Sequence, residues 1–239
     1  MFNNNLLKNS SFTTLLILLV FSGFSGFSAL AKDNSYKTQG HYFGLDLTRT
    51  RIKFHERYAK TIGGPYSHNS SNHRDTDTGF GLKYKYAINF NNLFIAPGIF
   101  SEINNSEAKG EVGTGDDIHS QIRIKNRTGV KLDIGYDINR FSPFITGGYS
   151  LISYKTKNWF RTTQITQTFS RNGTANDFFY GAGLNYKVNK DITLDFEYNR
   201  NSFYAKTSTP NLIADNTRFW DGKYKTTLNI YKLGVSYKF

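Results

Sequence analysis

The tightest constraint on this chain is a two-residue alternation of apolar and polar side chains that returns along most of its length. The longest run covers residues 122–138. Ile122, Ile124, Val130, Leu132, Ile134, Tyr136 and Ile138 take even positions, with Asn126 and Thr128 among them. Arg123, Lys125, Arg127, Gly129, Lys131, Asp133, Gly135 and Asp137 take the odd ones. A helix, repeating every ~3.6 residues, cannot sort side chains this way, whereas an extended strand does so automatically. The same sorting recurs in residues 43–47, 80–88, 178–188 and 192–198, and less cleanly in 93–103 and 143–154. A last run, 224–239, carries Leu233, Val235, Tyr237 and Phe239 on one parity and Leu228 and Ile230 on the other, which predicts a bulge between them.

Eight strands follow, and their connections alternate in length. Residues 89–92, 139–142 and 189–191 are tight turns, while 50–76, 104–118, 155–176 and 205–223 are long polar segments. In an up-and-down barrel this puts every short turn at one end and every long loop at the other, as in transmembrane barrels. The expected fold class is therefore all-β: an eight-stranded antiparallel up-and-down transmembrane β-barrel with short periplasmic turns and long extracellular loops. An antiparallel sandwich and a soluble barrel with its apolar face inward share the alternation and are the rivals.

Three features favour the membrane. Tyr84, Tyr86, Tyr136, Tyr186, Tyr198, Tyr237 and Phe239 gather near strand ends, where a membrane–water boundary suits an aromatic ring. The charged face mixes signs, so an interior of this size is filled by side chains that neutralise one another. The lumen set is Lys83, Lys85, Arg123, Lys125, Arg127 and Lys131 with Asp133, Asp195 and Glu197, joined by Asp46, Asp137, Lys187 and Lys232. Finally, the last strand ends on an aromatic residue.

Export fits this picture. Lys8, the apolar run 15–21 and the small-residue pattern Ala29-Leu30-Ala31 read as a cleaved signal peptide over residues 1–31, with the barrel domain at 32–239. The chain has no cysteine, so disulfides have no part in holding the fold. Its formal charge of +12 directs attention to anionic partners. For an exported chain these are outer-membrane lipid, lipopolysaccharide, acidic glycan or a host surface, not nucleic acid.

Catalytic and metal readings find little support. His68, His73, Asp75 and Asp77 match no standard metal spacing, and Asp116 and Asp117 after Gly113 and Gly115 lack the ligand rhythm of a calcium loop. No Ser–His–acid set has a supporting context. Asp133, Asp137, Asp195 and Glu197 invite an acid/base role, but charge pairing in a filled lumen accounts better for their parity. The expectation is no catalytic residue, no metal, no cofactor and no enzymatic activity. Basic and aromatic residues interleave at Lys155, Lys157, Trp159 and Arg161, and again at Arg218 and Trp220, which makes these the candidate surface-binding residues of the loops.

The terminal pattern Leu233-x-Val235-x-Tyr237-x-Phe239 resembles the carboxy-terminal signature of outer-membrane proteins. Residues 93–100, 141–150 and 178–188 resemble strands of the OmpA-like, opacity-type and surface-antigen β-barrel families. The resemblance implies residence in the cell outer membrane, and recognition of Leu233, Val235, Tyr237 and Phe239 by the barrel-assembly machinery. It is consistent with a structural or surface-interaction role in adhesion or envelope integrity. A narrow anion-preferring porin is the alternative, and a lipid-modifying enzyme the third reading.

Overall fold

The computed structural model describes residues 37–60, 67–112, 117–161, 166–206, 211–212, 217–218 and 223–239, with side chains described over 37–55, 74–110, 119–159, 168–206 and 224–239. Eight strands close a barrel: β1 (Gly40–Lys60), β2 (Ser67–Phe90), β3 (Leu93–Val112), β4 (Asp117–Tyr136), β5 (Phe141–Arg161), β6 (Thr166–Lys187), β7 (Ile192–Lys206) and β10 (Lys223–Lys238). The order around it is β1-β10-β7-β6-β5-β4-β3-β2. Neighbours are antiparallel throughout. A separate two-stranded pair, β8 (Asn211–Leu212) with β9 (Thr217–Arg218), forms within the expected fourth loop. At the turn end, Asn91 and Asn139 adopt φ of 62° and 54°. Asparagine is one of the few residues besides glycine that takes this left-handed conformation readily.

The barrel strands run from 15 to 24 residues, whereas ~9–11 tilted residues cross a bilayer. Most of what reads as long polar loop in the sequence is therefore strand. β1 continues to Lys60, and β2 begins at Ser67. Their described outward positions, Arg51, Lys53, Arg74 and Thr76, are polar, as a strand in water requires, and so look loop-like in the sequence.

Two tiers result. In the turn-proximal tier, apolar side chains point outward: Phe43, Leu45 and Leu47 of β1, Phe80 and Leu82 of β2, Leu194 and Phe196 of β7, and Leu233 and Val235 of β10 are all exposed. The charged residues point inward. In the loop-proximal tier the arrangement is reversed. Ile52, Phe54, Ile122, Ile124, Ile152, Tyr154, Phe203, Leu228 and Ile230 are buried in one apolar cluster inside the barrel.

Strands make this exchange in two ways. In β1 the backbone is unbroken, and Asp46, Thr48, Thr50, Ile52 and Phe54 all point inward, so only the chemistry changes. β10 behaves likewise. Its pairing with β1 runs without a shift from Tyr42↔Lys238 to His55↔Lys225, so the expected bulge is absent and Leu228 and Ile230 simply face the interior. In β4 the register against β5 shifts between Ile124 and Asn126, and against β3 between Ile103 and Ser106. The bulge reverses parity. Ile122 and Ile124 turn inward while Leu132 and Ile134 face out.

Above the membrane tier two ladders stop. β2 pairs β3 only from Phe90↔Leu93 to Phe80↔Ile103, and β6 pairs β7 only from Lys187↔Thr193 to Phe179↔Asn201. Among the described residues, β7-β10-β1-β2 and β3-β4-β5-β6 continue beyond these points as two four-stranded sheets with the apolar cluster between them.

Candidate functional site

The lumen of the membrane tier holds one unbroken chain of alternating charges. Asp46 meets Lys83 at 2.5 Å, and Lys83 meets Asp195 at 3.0 Å. Lys85 lies 3.9 Å from Asp195 and 3.7 Å from Asp133. Lys131 joins Asp133 at 3.2 Å to Glu197 at 2.6 Å. Lys232 joins Glu197 at 2.9 Å to Glu102 at 2.6 Å, and Glu102 ends on Arg127 at 3.1 Å. Five cations thus face five carboxylates, and the lumen tier is neutral. Each of these side chains is buried. Breaking one such pair strands a charge without water, at about 3–5 kcal/mol.

β3, β5 and β6 contribute aromatic rings to this tier. Arg127 lies 4.5 Å from the Phe100 ring centroid and 4.4 Å from that of Phe179, and Phe144 is 5.5 Å from Lys85. Glycines leave the room. A Cβ on Gly234 would strike the Asp46 carboxylate and come within 2.9 Å of the Lys83 ammonium. At the turn end Asp137 accepts hydrogen bonds from the Thr38 amide (2.8 Å), the Thr38 and Ser142 hydroxyls (2.6 Å each), Asn89 (2.8 Å) and Lys187 (2.7 Å).

Of the thirteen lumen residues expected from the sequence, Asp137 and Lys187 pair at the turn end, and Asp46, Lys83, Lys85, Arg127, Lys131, Asp133, Asp195, Glu197 and Lys232 are in this network. Arg123 and Lys125 are not: both are exposed on the outside of the barrel, because the β4 bulge turns them out. Glu102, which links Lys232 to Arg127, is missing from the expected set. Its opposite parity to Ile103 was the available signal.

The displaced cations join a site on the outer surface of the β3–β5 extension. Cross-strand register builds its rows: Glu107–Arg123–Lys155–Asn172, then Lys109–Gln121–Lys157–Ser170, with His119 beside Trp159. The His119 and Trp159 rings stack with centroids 4.9 Å apart, and Lys157 lies 5.2 Å from the Trp159 ring. Lys125 reaches Asn172 at 3.2 Å. Among the described side chains Glu107 is the carboxylate of these rows, and it is already engaged, by Arg123 through two hydrogen bonds and by Lys109 at 3.2 Å. Burial pushes its carboxyl up, but the bonds from Arg123 and Lys109 outweigh this and hold it below the ordinary carboxylate range. Lys155, Lys157 and Trp159 are therefore strand residues rather than loop residues. The side chains of Arg161 and Arg218, and all of Trp220, lie outside the described residues, as do residues 1–31 and the side chains of His68 and His73. Asp75 and Asp77 each accept from the next residue's amide, Thr76 and Thr78, at 2.7 Å. Leu233, Val235 and Tyr237 share the exposed outer face of β10, and Phe239, just past its end, is exposed as well.

Comparison with known proteins gives the following. The family model described as the outer membrane protein beta-barrel domain matches residues 16–239. No curated protein sequence matches. The solved structure of the outer membrane protease OmpT from Escherichia coli aligns over 87% of this chain and 99% of that one, at 12% identity and a TM-score of 0.53. At that identity the likeness is one of fold. OprG from Pseudomonas aeruginosa aligns over 87% and 99%, at 14% identity and a TM-score of 0.49. Ail, the attachment invasion locus protein of Yersinia pestis, aligns over 84% and 99%, at 17% identity and a TM-score of 0.34.

Proposed function

The chain belongs to the outer membrane protein beta-barrel domain family and resides in the outer membrane, and from that premise we propose that it is a non-conducting surface-interaction barrel that binds acidic glycans through the outer face of β3–β5. The observation that carries this reading is the row structure of that face. Lys109, Lys157, Arg123, Lys155 and Lys125 stand in successive rows leading away from the stacked His119–Trp159 pair, with Glu107 as the accompanying carboxylate among the described residues. Sulfate and carboxylate groups suit the cations, and a sugar ring suits the half-buried His119–Trp159 aromatic face. The face projects beyond the apolar belt on paired strands, so its spacing is set by cross-strand register and not by a loop's conformation.

The non-conducting part rests on the lumen. A chain of ion pairs from Asp46 to Arg127, all buried, leaves the cations committed to carboxylates rather than offered to a passing anion. The OmpT likeness is one of barrel shape and carries no catalytic residue across.

The test is calorimetric titration of the refolded barrel with sucrose octasulfate, the heparin analogue in complex with Ail in a solved structure. Wild type should bind in a salt-sensitive way. Lys125→Gln/Lys155→Gln/Lys157→Gln should bind about tenfold more weakly, since each exposed pair is worth up to ~1 kcal/mol. Equal affinity of the two proteins would overturn the assignment to this face.

A further inference from the structure

The opposite side of the barrel carries a second cationic face with a different make-up. On β1 the outward residues that follow Leu47 are Arg49, Arg51 and Lys53, and on β7 Arg200 follows Phe196 and Tyr198. On β2 the outward sequence past Phe80 is Thr78, Thr76 and Arg74. Register sets these side by side: Arg51–Asn229–Arg200–Tyr180 in one row, and Arg74–Lys53–Thr227–Ser202 in the next. Beneath lies the row Arg49–Tyr231–Tyr198, whose two rings are 5.1 Å apart, with the Tyr198 hydroxyl donating to Asn229 at 2.9 Å. This is an aromatic belt of the kind found at a membrane–water boundary. Arg49 stands in the belt row itself, Arg51 and Arg200 one outward position past it, and Arg74 two.

Unlike the lumen, this face has no ion pair among the described residues. The Lys53 ammonium is held below its ordinary value chiefly by the charge of Arg74, then by burial and by Arg51 and Arg200. Asp75 and Asp77 are on the other parity of β2 and bond backbone amides. The Arg51 Nε is buried without a hydrogen-bond partner. Arginine presents a planar fork that matches phosphate oxygens two at a time.

We propose that Arg51, Arg74 and Arg200, with Arg49 and Lys53 beside them, bind the phosphate groups of net-anionic lipid headgroups, in preference to zwitterionic ones, in the leaflet that surrounds the extracellular end of the belt. The barrel would then have two anionic partners on two faces: membrane phosphate on β7-β10-β1-β2, and glycan on β3–β5. The site is independent of the glycan reading, because no residue is shared.

The test is electron spin resonance on the refolded full chain in phosphatidylcholine vesicles doped with spin-labelled phosphatidic acid or spin-labelled phosphatidylcholine. Wild type should show a relative association constant for the phosphatidic acid at least about fivefold above phosphatidylcholine. Arg51→Gln/Arg74→Gln/Arg200→Gln should bring the two within about twofold, while Lys125→Gln/Lys155→Gln/Lys157→Gln should keep the wild-type preference. The heat-modified gel shift reports whether each variant has folded. Should the triple arginine variant fail to fold, exposed Arg200→Gln alone should lower the preference by about twofold. No preference in wild type would overturn the proposal. So would a preference that survives loss of the arginines, or displacement of the lipid by inorganic phosphate at matched ionic strength, which would assign the face to a soluble anion.

Discussion

The two tiers of this barrel share strands, hydrogen-bond ladders and side-chain parity, yet they are chemical opposites. In β1, Leu45 and Leu47 face outward and Asp46 inward. A few residues on, Arg51 and Lys53 are on the outward parity while Ile52 and Phe54 are buried. The backbone has not changed. What has changed is the medium outside: hydrocarbon demands an apolar exterior and leaves the polar groups to neutralise one another inside, whereas water permits the ordinary arrangement of an apolar core under a polar skin. The lower tier is thus held by a neutral ion-pair chain and by lipid, the upper by packing between two sheets.

Several substitutions would break or sharpen that contrast. The largest effect belongs to the lumen. Glu102→Gln removes the carboxylate shared by Arg127 and Lys232, and should lower the unfolding free energy in urea by about 3–5 kcal/mol. Adding Arg127→Met should recover part of it. A variant as stable as wild type would mean the ion chain is not what holds this tier. In the upper tier, Leu228→Ala should cost about 2–5 kcal/mol of local stability. Its signature is spatial: amide exchange should accelerate at Ile52, Phe54, Ile122 and Ile124 while membrane-tier amides keep their protection. Uniform acceleration would show that the tiers unfold as one.

The outer faces make a paired test. Leu45→Arg, in the apolar belt, should destabilise the barrel by about 2–4 kcal/mol in a bilayer. Lys125→Leu, beyond the belt, should stay within ~0.5 kcal/mol. Comparable costs would place the membrane boundary elsewhere. The smallest effect concerns Glu107. Its folded value lies below the ordinary one, so its pairing with Arg123 and Lys109 stabilises above the ordinary carboxylate range and is lost as pH falls through the lowered value. Sucrose octasulfate affinity should rise about twofold over that fall. Glu107→Gln should have the gain at neutral pH and a flat profile there, as titration calorimetry across pH would reveal.

Much of the candidate site can be read from parity alone, and the exceptions have local causes. Lys83, Lys85, Asp195 and Glu197 lie on strands that keep an unbroken alternation, so their inward direction follows from their position. Arg123 and Lys125 belong to the run with the cleanest alternation in the sequence, yet they face out, because the register shift beside Asn126 leaves no trace in a pattern where Ile124 and Leu132 share parity. Leu228 and Ile230 err in the other direction. Their change of parity imitates a bulge, when the strand is regular and only the surrounding medium differs. An alternating pattern records which residues share a face but not whether that face meets lipid, water or core.

What the sequence by itself determined is the strand count, the antiparallel up-and-down order, the apolar belt and the mixed-sign lumen, since each depends on short-range alternation and on where the tight turns fall. What only the tertiary structure decided is which carboxylate meets which cation, where Glu102 joins the chain, how far the strands run past the belt, and that Arg123 and Lys155 become neighbours while Arg51 and Arg200 share a row on the other side. Those pairings depend on barrel closure, bulge placement and register between strands. They are set by the packing of the whole sheet upon itself, which no single strand's pattern contains.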